Sequence, residues 1–95
     1  LLVTENGLAD TADAKRAAFL ESHVAALEEA EREGLPVHGY LHWSLVDNYE
    51  WLDGWAPRFG LLQLDRETLG RRPRPSAGTF RRLAAQYLAG HVSDR

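Results

Sequence analysis

The order of apolar runs along the chain predicts an α/β fold built from two βα units. Three observations carry that expectation. A short, partly β-branched run at residues 1–4 stops at the turn sequence Glu5-Asn6-Gly7, a long run of helix formers covers residues 14–33, and a second apolar segment covers residues 37–43. Strand, helix and strand thus fall within about 40 residues, the size of a parallel βαβ unit with a right-handed crossover.

The first strand is expected over residues 1–5. Asp10, Thr11 and Asp13 are N-cap candidates for the helix at 14–33, because a short side-chain oxygen can accept the free amides of a first turn. Within that helix Ala17, Leu20, Val24 and Leu27 recur at three- and four-residue steps and form one apolar stripe. Gly34 supplies the stop and Pro36 forbids continuation. The second strand spans 37–43. Residues 44–75 lack helical periodicity and read as one long loop, with a further short strand at 59–65 as part of a hairpin. Its aromatics Tyr49, Trp51 and Trp55 argue against disorder, since large rings are costly to leave in water. A final helix is expected at 76–89, with Phe80, Leu83, Ala84, Tyr87 and Leu88 on one face, followed by a polar tail at 90–95.

Residues 1–95 therefore read as a single partial domain. Two parallel strands leave open edges and an uncovered sheet. Further strands are expected beside them, from a missing part of the chain or from other copies. The chain holds no methionine and begins inside a strand-like run, so a segment upstream is expected.

Composition narrows the function classes. The chain is 44% hydrophobic and 26% charged, with a formal net charge of −3, so there is no basic surplus of the kind that nucleic-acid binders carry. No apolar run approaches the length of a membrane span, and the expected setting is cytoplasmic. With no cysteine, disulfides and thiolate metal sites are excluded. His38 and His42 share a face of the second strand, where packing or hydrogen bonding is a simpler role than metal binding; no metal or other cofactor is expected. Arg71, Arg72 and Arg74, beside two prolines, read as a solvated turn, with little in the sequence to support a phosphate-binding role.

Two carboxylates draw attention. Glu5 ends an apolar strand before Asn6-Gly7, where a strand can hold an acid rigidly at the rim of a cleft; a simple turn acid has the same pattern. Glu50 lies between Tyr49 and Trp51, with Trp43 and Trp55 nearby. Aromatic faces stack on the C–H faces of sugars, while carboxylates and indole N–H groups bond hydroxyls, and ligand pockets combine such groups. The same tryptophans would equally serve a core. Asp47 and Asn48 suit bracing of the loop through backbone hydrogen bonds.

The residues also carry a family resemblance. Thr4-Glu5-Asn6-Gly7 resembles the nucleophile motif of glycoside hydrolase family 1, the retaining β-glycosidases. Asp13, Arg16, Phe19, Leu20 and His23 are similar to the helix that follows it. The run from Gly39-Tyr40-Leu41-His42-Trp43-Ser44 to Asp47-Asn48-Tyr49-Glu50-Trp51 resembles the family's sugar-binding loop, and Arg58-Phe59-Gly60-Leu61 and Arg74-Pro75-Ser76-Ala77 continue the match in order. The match covers roughly residues 1 to 89 and looks closest to the thermophilic, broad-specificity branch, such as β-glucosidases.

That resemblance implies the last quarter of a (β/α)8 barrel, with these strands as the seventh and eighth. It implies Glu5 as the nucleophile of a retaining double displacement, Glu50 and Trp51 as partners of sugar hydroxyls, Trp43 as the platform beneath the sugar, and Phe59 lining the pocket near C6. A β-glycoside or oligosaccharide is the implied substrate, without cofactor. The family's acid/base glutamate lies in an Asn-Glu-Pro motif, and none occurs in these residues. The implied partners are therefore the remaining barrel strands or further copies of the chain. The alternative is a non-catalytic carbohydrate-binding or self-assembling barrel fragment.

Overall fold

The β-branched pair Val3-Thr4 lies within strand β1, Leu2–Asn6, in the computed structural model, which describes residues 1–91. Helix α1 follows at Arg16–Arg32 and strand β2 at Gly39–His42. The two strands pair in parallel, Leu2 with Gly39, Val3 with Tyr40 and Asn6 with His42, with an irregularity between Val3 and Asn6. A single 3-10 turn occupies Trp51–Asp53. Strands β3, Leu62–Leu64, and β4, Arg71–Pro73, form an antiparallel hairpin, and helix α2 covers Pro75–His91.

Local chemistry explains most boundaries. Among the N-cap candidates, Asp10 serves α1: its Oδ2 accepts from the amides of Lys15 and Arg16 at 2.7 and 3.1 Å. Asp13, expected at the same helix, caps the other one, accepting from the Ser76 amide at 2.9 Å at the start of α2. Gly34 ends α1 with φ at 95°, a left-handed conformation that costs glycine little. The amides of Gly34 and Leu35 then reach back to the carbonyls of Glu31 and Ala30, closing a Schellman motif. Pro75 opens α2, where its missing N–H has no partner to lose. That helix runs past the expected end at 89 to His91, taking in residues 90 and 91 of the expected tail; residues 92–95 lie outside the described part.

The expected loop at 44–75 is more ordered than its lack of period suggests. Its first limb, from Ser44 to Asp47, runs beside Phe59 to Leu62: the Leu61 amide donates to the Ser44 carbonyl at 3.0 Å, and the Leu62 amide to Leu45 at 2.8 Å. The hairpin then closes against it.

Apolar burial is modest. Among the described residues, Leu20 and Leu61 are the buried hydrophobic side chains, while Arg16, Ser44, Asp47, Arg74 and Ser76 are buried polar ones. The β1–β2 sheet leaves Leu2 and Leu41 exposed by 47% and 54%, and Leu45 in the loop after it is exposed by 65%. Buried ion pairs, rather than a large apolar core, connect the parts. Arg74, expected in a solvated turn, pairs with Asp47 through two bonds of 2.8 and 3.0 Å. A guanidinium that reaches a carboxylate in its fork geometry can be buried with its charge compensated.

Candidate active site

The strand pairing brings the ends of β1 and β2 together. Glu5 lies in β1, and Trp43 directly follows β2. The Trp43 amide donates to the Asn6 carbonyl at 2.8 Å, extending the ladder by one step. Gly7 then passes so close to Trp43 that a Cβ at position 7 would lie 1.7 Å from its carbonyl oxygen. The turn after Glu5 can be seated there only by a glycine. The Trp43–Ser44 peptide is cis.

From Trp43 the connection continues outward. The Ser44 amide donates to the Phe59 carbonyl at 3.1 Å, which holds Phe59 beside the end of β2. Glu5, Trp43 and Phe59 are thus linked through three neighbouring backbone segments. Glu50 and Trp51 stand on the adjoining turn, where the Glu50 amide donates to Gly54 and the Asp53 amide to Glu50, at 2.8 and 2.9 Å. Trp51 adopts a positive φ of 49° and is 87% exposed. Trp55 meets Tyr49 in an edge arrangement at 5.9 Å, with Arg66 over its ring at 4.5 Å. Glu5 is exposed and Glu50 half-buried, and among the described residues neither carboxylate has a side-chain hydrogen bond or ion pair. Backbone bonds therefore join the segments that carry Glu5, Trp43 and Phe59, with Glu50 and Trp51 on a neighbouring turn.

Asp47 fixes this loop. Its Oδ1 accepts from the Gly60 amide at 3.0 Å and its Oδ2 from Leu64 at 3.4 Å, in addition to Arg74. Burial pushes its carboxyl up, but bonds from Arg74 and Gly60 outweigh that and hold it below the usual range. Gly60 is again obligatory, since a Cβ there would lie 2.3 Å from the Asp47 amide nitrogen. Arg16 ties the opposite side: its guanidinium donates to the carbonyls of Asp10 and Arg58 at 2.9 and 2.6 Å and pairs with Asp13.

A polar network joins Asn6, Tyr40 and His42; hydrogen bonding is expected of His42 from the sequence, but Tyr40 and Asn6 are not expected as its partners. The Tyr40 hydroxyl donates to Asn6 Oδ1 at 2.9 Å and lies 3.2 Å from His42 Nδ1. Burial pushes the Tyr40 phenol up to about 12. Burial, with the charge of Arg16, pushes the His42 imidazole down to about 4, so both are neutral at pH 7. With the phenol proton directed at Asn6, the imidazole is assigned as donating from Nδ1, and its buried Nε2 has no hydrogen-bond partner among the described residues. The only sequence signal for this cluster is that Tyr40 and His42 alternate on one face of a strand.

Known proteins are similar to this chain in sequence and in fold. Residues 1–87 match the family model described as glycosyl hydrolase family 1. A β-galactosidase of Saccharolobus solfataricus is 51% identical over 94 residues, covering 99% of this chain and 19% of the relative. A β-galactosidase of Pyrococcus woesei is 44% identical over 84 residues, 87% of this chain and 16% of the relative. Among solved structures, the β-glycosidase of the hyperthermophile Thermosphaera aggregans superposes with a TM-score of 0.88 at 54% identity, over 90% of this chain and 18% of that one. The β-glucosidase of Pyrococcus furiosus does so with a TM-score of 0.87, also at 54% identity, over 90% and 18%. The chain thus spans about a fifth of the length of these relatives. Its two βα units correspond to part of a (β/α)8 barrel. On sequence and on fold alike, the chain belongs to glycosyl hydrolase family 1.

Proposed function

We propose that this chain supplies the nucleophile and sugar-binding part of a retaining β-glycosidase. The observation that carries the reading is the seating of the Glu5 turn against Trp43, through the Asn6 carbonyl and the close approach of Gly7. It joins the backbone that carries Glu5 to the backbone that carries Trp43 at the carboxyl end of parallel strands, the face on which barrel enzymes collect their catalytic groups.

Glu5 attacks the anomeric carbon and forms a glycosyl-enzyme intermediate, which water then releases. Trp43 is the platform beneath the sugar, Glu50 and Trp51 bond its hydroxyls, and Phe59 lines the pocket near C6. The second carboxyl, about 5–5.5 Å from the first in a retaining enzyme, donates the leaving-group proton. It comes from a strand outside these 95 residues, so the partner of this chain is the remainder of a barrel. A β-glycoside is the substrate.

The test is hydrolysis of an aryl β-glucoside by the chain combined with the six complementary βα units of a relative, beside the same mixture carrying Glu5→Gln. Activity that appears on mixing and disappears in the variant supports the reading. Equal activity in the two mixtures rejects Glu5 as nucleophile.

A second reading, self-assembly of copies into a complete barrel, is favoured by the exposure of Leu2 and Leu41 on the two-stranded β1–β2 sheet. Copies would then share their open strand edges. Native mass decides it, because a monomer excludes this reading while leaving the first intact.

A further inference from the structure

The β3–β4 hairpin holds a feature that sugar binding does not use. A basin of about 510 Å³ lies beside it, and its walls include Arg58, Arg66, Arg71 and Arg72. None of Glu5, Trp43, Glu50, Trp51 or Phe59 lines it. One carboxylate, Asp65, faces these four cations. Its Oδ1 is already occupied by the amides of Glu67 and Thr68, at 2.9 and 3.2 Å, and those bonds hold it ionised below the usual range.

The local balance is therefore four guanidinium charges against one carboxylate, in a chain whose formal net charge is −3. Among the described residues Arg66, Arg71 and Arg72 have no ion pair, and Arg66 spends its cation on the Trp55 ring. Arg58 reaches Asp47 only at 3.7 Å, a carboxylate that Arg74 has already taken at shorter range. The hairpin register sets Arg72 opposite Gln63 and Arg71 opposite Leu64, so neither has a cross-strand acid. Concave surfaces of one sign concentrate counter-ions, and guanidinium forks match tetrahedral oxyanions through paired N–H groups.

We propose that this basin binds a multiply charged tetrahedral oxyanion of the phosphate type, with Arg71 and Arg72 as its principal donors and Arg58 and Arg66 as flanking charge. The site is separate from the proposed sugar pocket and does not depend on its assignment.

Titration of the chain with inorganic phosphate at low ionic strength, followed by calorimetry, tests this directly. Half-saturation is expected near about 1 mM, weakened roughly tenfold in R71A/R72A and left within about twofold in R81A, which removes a charge from the exposed surface of α2. The single variant R72Q, on an exposed strand, gives the same comparison at a loss of about threefold should the double variant unfold. Phosphate binding strengthens between about pH 6 and pH 8, because inorganic phosphate gains its second negative charge near neutral pH while arginine keeps its charge. Sulfate, already doubly charged, binds with no such trend. Absence of saturation, an unchanged affinity in the folded arginine variants, or an equal loss in R81A each overturns the proposal; the last would mean that only diffuse charge is at work.

Discussion

The main-chain amide of Trp43 donates to the carbonyl of Asn6 at 2.8 Å, one residue beyond the carboxylate of Glu5. That bond continues the parallel ladder past its last regular pair and turns two strand ends into one platform. Nothing on the other side of the turn can relax away, because Gly7 is packed against the Trp43 carbonyl itself. Position and chemistry are therefore coupled: the backbone that seats Glu5 is the backbone that seats the tryptophan.

Gly7→Ala follows from this geometry. A methyl group placed 1.7 Å from a backbone oxygen cannot be accommodated by a side-chain rotation, so β1 and the start of the 44–62 loop must separate. A loss of about 3 kcal/mol is expected, at the severe end of overpacking. Urea unfolding followed by circular dichroism measures it. A midpoint unchanged from the parent would show that the two strand ends are not held together in solution.

Asp47→Ala should be as costly for a different reason. Asp47 and Arg74 are 4% and 6% exposed at their side chains, and truncation leaves the guanidinium buried without its counter-charge. Breaking one partner of such a pair costs about 3–5 kcal/mol. Replacing both partners by apolar residues should recover much of that loss, which distinguishes an uncompensated charge from a lost pair. Equal losses in the single and double variants would count against this account.

Patterns set by a single chain segment were legible from the sequence. The alternation of strand and helix was one, the glycine stop at Gly34 another, and the Leu20 stripe a third, since each depends on neighbours a few residues away. The family resemblance implied Glu5, Trp43, Glu50, Trp51 and Phe59 as one group, and backbone bonds join the segments that carry Glu5, Trp43 and Phe59. Long-range polar partners were not legible. Arg74 looked like a solvated turn residue because its carboxylate lies 27 positions earlier. Asp13 looked like a cap for the nearest helix and serves Ser76, 63 positions away. Tyr40 gave only the weak signal of sharing a strand face with His42, because a phenol there has many equivalent readings until Asn6 is placed within reach of its hydroxyl.

His42 should make stability depend on pH in a separate window. Its imidazole titrates near 6.5 in the unfolded chain and about 4 in the folded one, so the unfolded state binds more protons between those values. Stability is then fully present above about pH 6.5, declines as the pH falls through 4, and levels off below. Asp10, Asp13 and Asp47, all held below their ordinary value of 3.8, add their own losses only at lower pH. The thermal midpoint should therefore fall between pH 7 and pH 5 in the parent, and His42→Phe should flatten that part of the curve. An identical slope in the variant would assign the pH dependence to other groups.

The junction of α1 and α2 offers the sharpest test of how so small an apolar interior is supplemented. Asp13 accepts from the Ser76 amide and hydroxyl, at 2.9 and 2.6 Å, and pairs with the fully buried Arg16. Burial pushes the Asp13 carboxyl up, yet the bonds from Ser76 and Arg16 hold it below its ordinary value. One carboxylate thus caps α2 and neutralises the cation at the start of α1. Asp13→Ala should cost about 3–5 kcal/mol, since it strands Arg16 as well as uncapping the helix. Ser76→Ala should cost only about 1 kcal/mol, the net worth of one hydroxyl bond. In the double variant the serine's contribution should vanish, giving a coupling of about 1 kcal/mol in the thermodynamic cycle. Simple additivity would mean that the Ser76 hydroxyl stabilises the junction through contacts other than Asp13, and that the two helix starts are joined by the backbone amide alone.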